Sequence, residues 1–185
     1  MFDINNIKDE KIRSFYELFC RRCSIRQFQD REIEAEKLDR ILEIGRRAPS
    51  ASNMQPWHFI ILPKDKRGVF DEVINRKSLN TAPLIIAACV EPNKAWVRSS
   101  DKKNFAWVDV TIALTEMMAA ATAEGLGSCW IAAFDPFKAR EILDLPLNIE
   151  LVILIALGYP EKPLSIEEKE RKNLKNITYY EKWGN

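Results

Sequence analysis

Apolar residues along this chain fall into short unbroken runs and one long block. Trp57 to Leu62 (WHFIIL) is short, apolar and rich in β-prone residues, and Pro63 ends it. Leu84 to Val90 (LIIAACV) and Glu150 to Leu157 (ELVILIAL) are similar runs. The lack of polar alternation predicts strands covered on both faces. Phe105 to Glu124 is longer, consists of good helix formers rich in Ala and Met, and is followed by Gly125, which predicts a helix with a natural stop. That helix is apolar on most sides, so it must be buried by its own domain or by a second subunit. Leu38, Ile41, Leu42 and Gly45 recur at helical spacing, with Glu34 and Glu36 near the start, Arg46 and Arg47 near the end, and Pro49 closing the segment.

Helices thus alternate with buried strands, and helix predominates. The pattern predicts an α+β or α/β layered domain. No repeat, low-complexity segment or Pro-, Gly- or Ser-rich linker divides the 185 residues, which read as one domain, 1–185. Beyond Pro163 the chain turns polar and irregular but still holds Tyr179, Tyr180 and Trp183, so residues 164–185 read as an extension that packs on something, a partner subunit being a candidate.

Charge narrows the classes of partner. Lys and Arg number 28 against 27 Asp and Glu, a balance that gives no drive toward nucleic acid or an anionic membrane. A phosphate-bearing ligand must therefore be held by a few placed cations. Asp109, Glu116 and Glu124 in the longest apolar segment argue against a membrane span. No N-terminal run has the regions of a signal peptide, and four cysteines make no disulfide framework, so reduced thiols and a cytoplasmic location are expected.

Several chemistries lack their residues. His58 is the only histidine and falls within a strand, so neither a His-dependent triad nor a His-based metal site is expected. No GxxxxGK[ST] loop occurs, and Gly125-Leu126-Gly127 precedes a strand rather than following one, so a nicotinamide could only visit. Cys20 and Cys23 have the spacing of a redox pair or half a metal site, but with no second CxxC they read as incidental thiols. Asp109 and Glu116 share a helical face two turns apart, where solvation or hydrogen bonding is expected of them rather than acid–base pairing.

Three polar clusters remain. In Arg21 to Phe28, Arg offers a planar fork for phosphate and Ser a neutral donor, and in an extended segment Arg22, Ser24 and Arg26 point to one side; a solvated basic helix end is the other reading. Ala48 to Trp57 places hydroxyl and amide side chains between two prolines, a stiff turn that a ligand could approach closely, or an ordinary loop. Lys169-Glu170-Arg171 alone would be a solvated charge run.

In order along the chain, these segments resemble the nitroreductase family of FMN-dependent oxidoreductases. Arg22-Cys23-Ser24-Ile25-Arg26-Gln27-Phe28 corresponds to the family's R-x-S-x-[RK]-x-F stretch, and Pro49-Ser50-Ala51-Ser52-Asn53-Met54-Gln55-Pro56-Trp57 to its P-S-x-x-N-x-Q-P-W turn. Ala82-Pro83, Gly127-Ser128-Cys129-Trp130-Ile131, Leu157-Gly158-Tyr159-Pro160 and the late Lys169 and Arg171 follow in register.

The resemblance implies a three-layer α/β/α domain of the nitroreductase type, with a central mixed sheet, in an intertwined homodimer. It implies that Arg22, Ser24, Lys169 and Arg171 hold the phosphate and ribityl chain of FMN, and that Cys23 lies within this segment. Arg26 and Asn75 would lie on the pyrimidine edge, Trp130, Ile131, Ala132 and Ala133 would line the ring, and Pro49, Ser50, Ala51 and Asn53 would come from the opposite subunit. Cys23 and Ala132-Ala133 depart from the usual family residues, and the alanine pair leaves the contact to the flavin N5 to backbone N–H. The implied activity is ping-pong hydride transfer from NADH or NADPH to a small electron-poor acceptor such as a nitroaromatic, quinone or enone. Flavin delivery with little turnover, or a specialised dehydrogenase or dehalogenase, is the alternative. No side chain is expected to act as acid or base, and no metal is expected.

Overall fold

β2 (Leu84–Val90) is buried at all seven positions, and β4 (Glu150–Gly158) at all but its first. A strand without a wet face needs cover on both sides, and the computed structural model, which describes residues 4–75, 77–164 and 170–184, shows what supplies it. Leu84, Ile86, Ala88 and Val90 point into a core shared with α2 (Ala35–Arg47) and α3 (Ala106–Ala123). Ile85, Ala87 and Cys89 point the other way, toward Phe70 and Val73 of a 3-10 turn (Gly68–Val73) and Ala139 of α4 (Pro136–Ile142). The result is a three-layer α+β fold. Full burial of each large aliphatic side chain here contributes about 1.5–3 kcal/mol.

The sheet order is β1-β2-β4-β3, with β1 spanning Trp57–Pro63 and β3 Gly127–Ile131. All three strand pairings are antiparallel. The sheet is thus antiparallel and not the mixed sheet expected; among the described residues the one parallel pairing is an isolated bridge from Ser24, outside the named strands, to Ser128. Unbroken apolar runs suit any strand covered on both faces, whatever its direction, which is why sequence pattern alone leaves orientation open.

α3 runs over nearly the whole stretch expected of it. Gly125 follows its last turn at φ +77°, a left-handed conformation that favours glycine, and Leu126 N–H then bonds to Ala121 C=O at 2.8 Å. α3 is buried along one side only. Trp107, Val108, Thr111 and Thr115 lie exposed along the other.

Two helices stand outside the elements read from the pattern. α1 (Glu10–Arg21) is N-capped by Asp9, whose carboxylate accepts from Ile12 N–H at 3.0 Å. It has no buried residue, and Ile12, Phe15, Tyr16 and Phe19 form an exposed stripe at helical spacing. α4, with Asp135 as N-cap and Pro136 at its first position, has only seven residues, too few for periodicity to register. Among the described residues no helix is long and apolar enough to cross a membrane.

Candidate functional site

The arginine-rich segment owes its shape to the end of α1. Arg22 N–H closes the helix on Leu18 C=O at 3.1 Å, and its ψ of 117° sends the chain off extended. Ser24 then pairs with Ser128, Ile25 N–H donates to Ser128 C=O at 3.0 Å, Phe28 bridges to Pro160, and Gln29 N–H reaches Tyr159 C=O at 2.9 Å. Residues 22–29 therefore lie as a strip across the end of the sheet where β3 begins and β4 finishes. Ile25 sits on Gly127, where an added Cβ would stand 2.6 Å from Ile25 Cγ1. Ser24 and Arg26 are exposed, and Arg22 and Cys23 half-buried. Among the described residues no carboxylate lies within ion-pairing distance of Arg26.

The second cluster is a tight turn between α2 and β1. Asn53 N–H bonds to Ser50 C=O at 2.9 Å, and Gln55 N–H to Ser50 Oγ at 3.0 Å. The Gln55 side-chain amide donates to Asn53 O and Oδ1. Ser52, Asn53 and Gln55 are left-handed, with φ of 51°, 56° and 49°, so a turn without glycine holds three residues in a costly conformation. Ala51 N–H donates to Asp109 Oδ1 at 3.0 Å. Asp109 lies in the first turn of α3 and is 1% exposed, and its Oδ2 is buried with no partner among the described residues. Asp109 is thus hydrogen-bonded rather than paired with Glu116, as expected of it.

Asn75 meets the far end of β3. Its N–H donates to Ala133 C=O at 3.2 Å, next to a bridge between Ile74 and Phe134. Ile131 is buried and Trp130 half-buried, whereas Ala132 and Ala133 are exposed. The loop that presents Asn75 is held by Arg67, whose fully buried side chain pairs with Asp71 at 2.5 Å and donates to Asn80 C=O at 2.6 Å.

The structure brings Ser24 to Ser128 at the start of β3 and Asn75 to Ala133 just past its end. It does not bring the Pro49–Asn53 turn to either. That turn is tied to Asp109, whereas the arginine strip lies beyond the opposite end of α3. Asp109 and Thr122 alone are about 20 Å apart at 1.5 Å per helical residue. Arg171 is exposed, and its guanidinium donates to Glu170 C=O at 2.8 Å. Lys169 lies outside the described residues. Arg67, Asp71 and Asn80 had no signal in the sequence, since one arginine in a charged loop looks like a surface residue.

Neighbouring charges brace the strip. Tyr159, which receives Gln29 N–H, donates its hydroxyl to Glu34 at 2.5 Å and accepts from Lys37 at 2.9 Å, while Arg31 stacks over its ring at 3.8 Å. The Tyr159 hydroxyl first, then the Glu34 backbone and Arg31, lower the Glu34 carboxyl from 4.5 to about 2. A group lowered in this way stabilises the fold above its unfolded value and stops doing so as pH falls through the folded one. Tyr159→Phe is therefore expected to lower the melting temperature at pH 7, with the gap to the parent narrowing between pH 4.5 and 2; thermal scans across that range check it. Burial pushes the Cys89 thiol up to about 11, which leaves it unreactive at neutral pH. His58 stands 3.8 Å from Glu91 with its side chain half exposed. Among the described residues no group of His, Cys, Asp and Glu could hold a metal ion.

The model of the nitroreductase family matches residues 20–76 and 68–159. A nitroreductase family protein from Clostridium difficile, solved as a crystal structure, is 37% identical with a TM-score of 0.82, over 90% of this chain and 97% of its own. A protein of Archaeoglobus fulgidus carrying the name NADH dehydrogenase/NAD(P)H nitroreductase is 32% identical over 170 residues, 88% of this chain and 94% of its own. An oxidoreductase containing FMN shares the fold at a TM-score of 0.78 and 21% identity, over 99% of this chain and 98% of its own. With its two chief motifs folded onto the ends of α3 and β3 and this likeness along most of its length, the chain belongs to the nitroreductase family of oxidoreductases.

Proposed function

We propose that this chain binds FMN as a homodimer and uses NADH or NADPH to reduce a small electron-poor acceptor such as a nitroaromatic, quinone or enone. The separation of the 49–53 turn from the 22–26 strip along α3 carries this reading. If both motifs serve one ligand, the turn must come from a second copy. Surfaces for that copy are ready: the α1 stripe, the open side of α3 with Trp107 52% exposed, and residues 170–184 of the tail, where Tyr180 and Trp183 are largely exposed.

The residues present fit the cofactor. Arg22, Ser24 and Arg26 offer cationic and neutral donors on one strip, and Ala132 and Ala133 are small, exposed residues just past β3. Arg22, Ser24, Lys169 and Arg171 would hold the phosphate and ribityl chain. Arg26 and Asn75 would take the pyrimidine edge, where a guanidinium stabilises the negative charge that reduction places there. Trp130, Ile131, Ala132 and Ala133 would line the ring, and Pro49, Ser50, Ala51 and Asn53 would close it from the other subunit. Bound there, FMN supplies the hydride chemistry between nicotinamide and acceptor, so no side-chain acid or base is needed. A cytoplasmic location fits four cysteines that form no disulfide among the described residues.

Anaerobic absorbance spectroscopy is the direct test. The purified protein should show flavin bands that bleach with NADH or NADPH, and should sediment at twice the 21.4 kDa chain mass. Bands that persist with both nucleotides would overturn the reductase reading in favour of flavin binding alone. A chain that stays colourless after incubation with FMN would overturn the whole proposal.

A further inference from the structure

Burying a carboxylate is costly, and Asp109 is 1% exposed in a largely apolar helix whose other acidic residue, Glu116, lies two turns further on. The one hydrogen bond that its carboxylate accepts among the described residues is from Ala51 N–H. The 49–55 turn in its turn has five other hydrogen bonds, and all five run between its own members: Asn53 to Ser50, Met54 to Ala51, Gln55 to Ser50 Oγ, and the Gln55 amide twice to Asn53. Among the described residues, the Asp109 contact is therefore the one hydrogen bond that ties this turn to the rest of the molecule. The turn needs that tie, because Ser52, Asn53 and Gln55 are left-handed without being glycine and would relax if released. The charge is well placed to supply it, since the N-terminal turn of α3 favours an anion.

From these contacts we infer that Asp109 is a positioning residue: it holds the Pro49–Asn53 turn in the conformation that the turn presents to the flavin of the partner subunit. The inference rests on the proposed FMN site. Asp109 touches no cofactor in this arrangement and acts only through Ala51. A carboxamide at position 109 keeps the accepting oxygen, whereas a methyl group removes it, so the two substitutions separate the hydrogen bond from helix packing.

The test uses Asp109→Ala and Asp109→Asn in the full-length chain, with two readouts. Hydrogen exchange on the apoprotein should show the Ala51 amide protected in the parent and in Asp109→Asn, and exchanging at least about tenfold faster in Asp109→Ala, the loss expected from one charge-assisted hydrogen bond. Protection within α3 should be unchanged. FMN titration, followed by flavin fluorescence, should give an affinity weaker by about tenfold in Asp109→Ala and near that of the parent in Asp109→Asn. Equal Ala51 exchange in the parent and Asp109→Ala would overturn the anchor. Faster exchange with unchanged FMN affinity would overturn the positioning role. A parent protein that binds no FMN would instead sink the proposed function, with the exchange result still deciding whether Asp109 holds the turn. If Asp109→Ala does not fold, Asp109→Asn decides: loss of Ala51 protection despite the retained oxygen overturns the inference, and preserved protection supports it.

Discussion

Arg67→Ala is expected to destabilise the protein by about 3 kcal/mol, the lower end of what removing one partner of a buried ion pair costs. The Arg67 side chain is fully buried, and Asp71 opposite it is 29% exposed, so water can rescue part of the orphaned carboxylate and keep the loss from running higher. The guanidinium does more than pair. Its Nε stands 2.5 Å from Asp71 and its Nη2 donates to Asn80 C=O at 2.6 Å, so one planar group spans the loop between β1 and β2. The Asn80 side-chain amide returns a bond to Asp71 C=O at 3.1 Å, which closes the link. Phe70, Val73, Ile74 and Leu79, all no more than 3% exposed, pack within the segment that this fork holds together. Without it those side chains lose their alignment over β2, and Asn75 loses its fixed place beside Ala133. Urea unfolding of the two proteins measures the loss. A difference under about 1 kcal/mol would show that the ion pair contributes no more than an exposed one does. Arg67→Met, which fills similar volume without a charge, should cost less than Arg67→Ala.

Gly127→Ala should destabilise by about 1–3 kcal/mol, the range for overpacking a filled position. An added Cβ there would meet Ile25 Cγ1 at 2.6 Å, Cβ at 2.8 Å and Cγ2 at 3.0 Å. These atoms belong to a β-branched side chain close to its own backbone, which has little rotamer freedom to move aside. The Ile25 backbone is itself bonded to Ser128 C=O at 3.0 Å, so relief has to come from shifting the strip that carries Arg22, Ser24 and Arg26. Two effects should therefore appear together: a lower melting temperature and weaker binding at the proposed FMN site. Ile25→Ala in the same chain should recover part of both, giving a coupling in the double-mutant cycle that independent sites would not show. Additive effects of the two substitutions would mean that Ile25 does not oppose the new methyl group.

The strands and the long helix were readable because their signals are local. WHFIIL, LIIAACV and ELVILIAL are dense β-prone runs, and each became a strand within one residue of its expected ends. α3 was equally plain, since its good helix formers end at a glycine that can take a positive φ. α1 was hidden because its apolar stripe is short and follows a polar start, and α4 because seven residues are too few to show a period. The candidate site motifs were visible as residue types in order, from Arg22 to Arg171, and their binding roles are part of the proposal. Their division was not.

Local chemistry, then, determined the longest helix and the three apolar strands, that those strands are covered on both sides, and which residues are candidates to meet a phosphate or a flat ring. Those properties follow from side-chain period, propensity and charge, which act over a few residues. Only the tertiary structure decided the order β1-β2-β4-β3, the burial of Arg67 and Asp109, and the placing of the 49–53 turn and the 22–26 strip beyond opposite ends of α3. Each depends on partners distant in sequence, as Ala51 and Asp109 are, 58 residues apart. Such pairings are selected by packing of the whole core, so no window along the chain contains them.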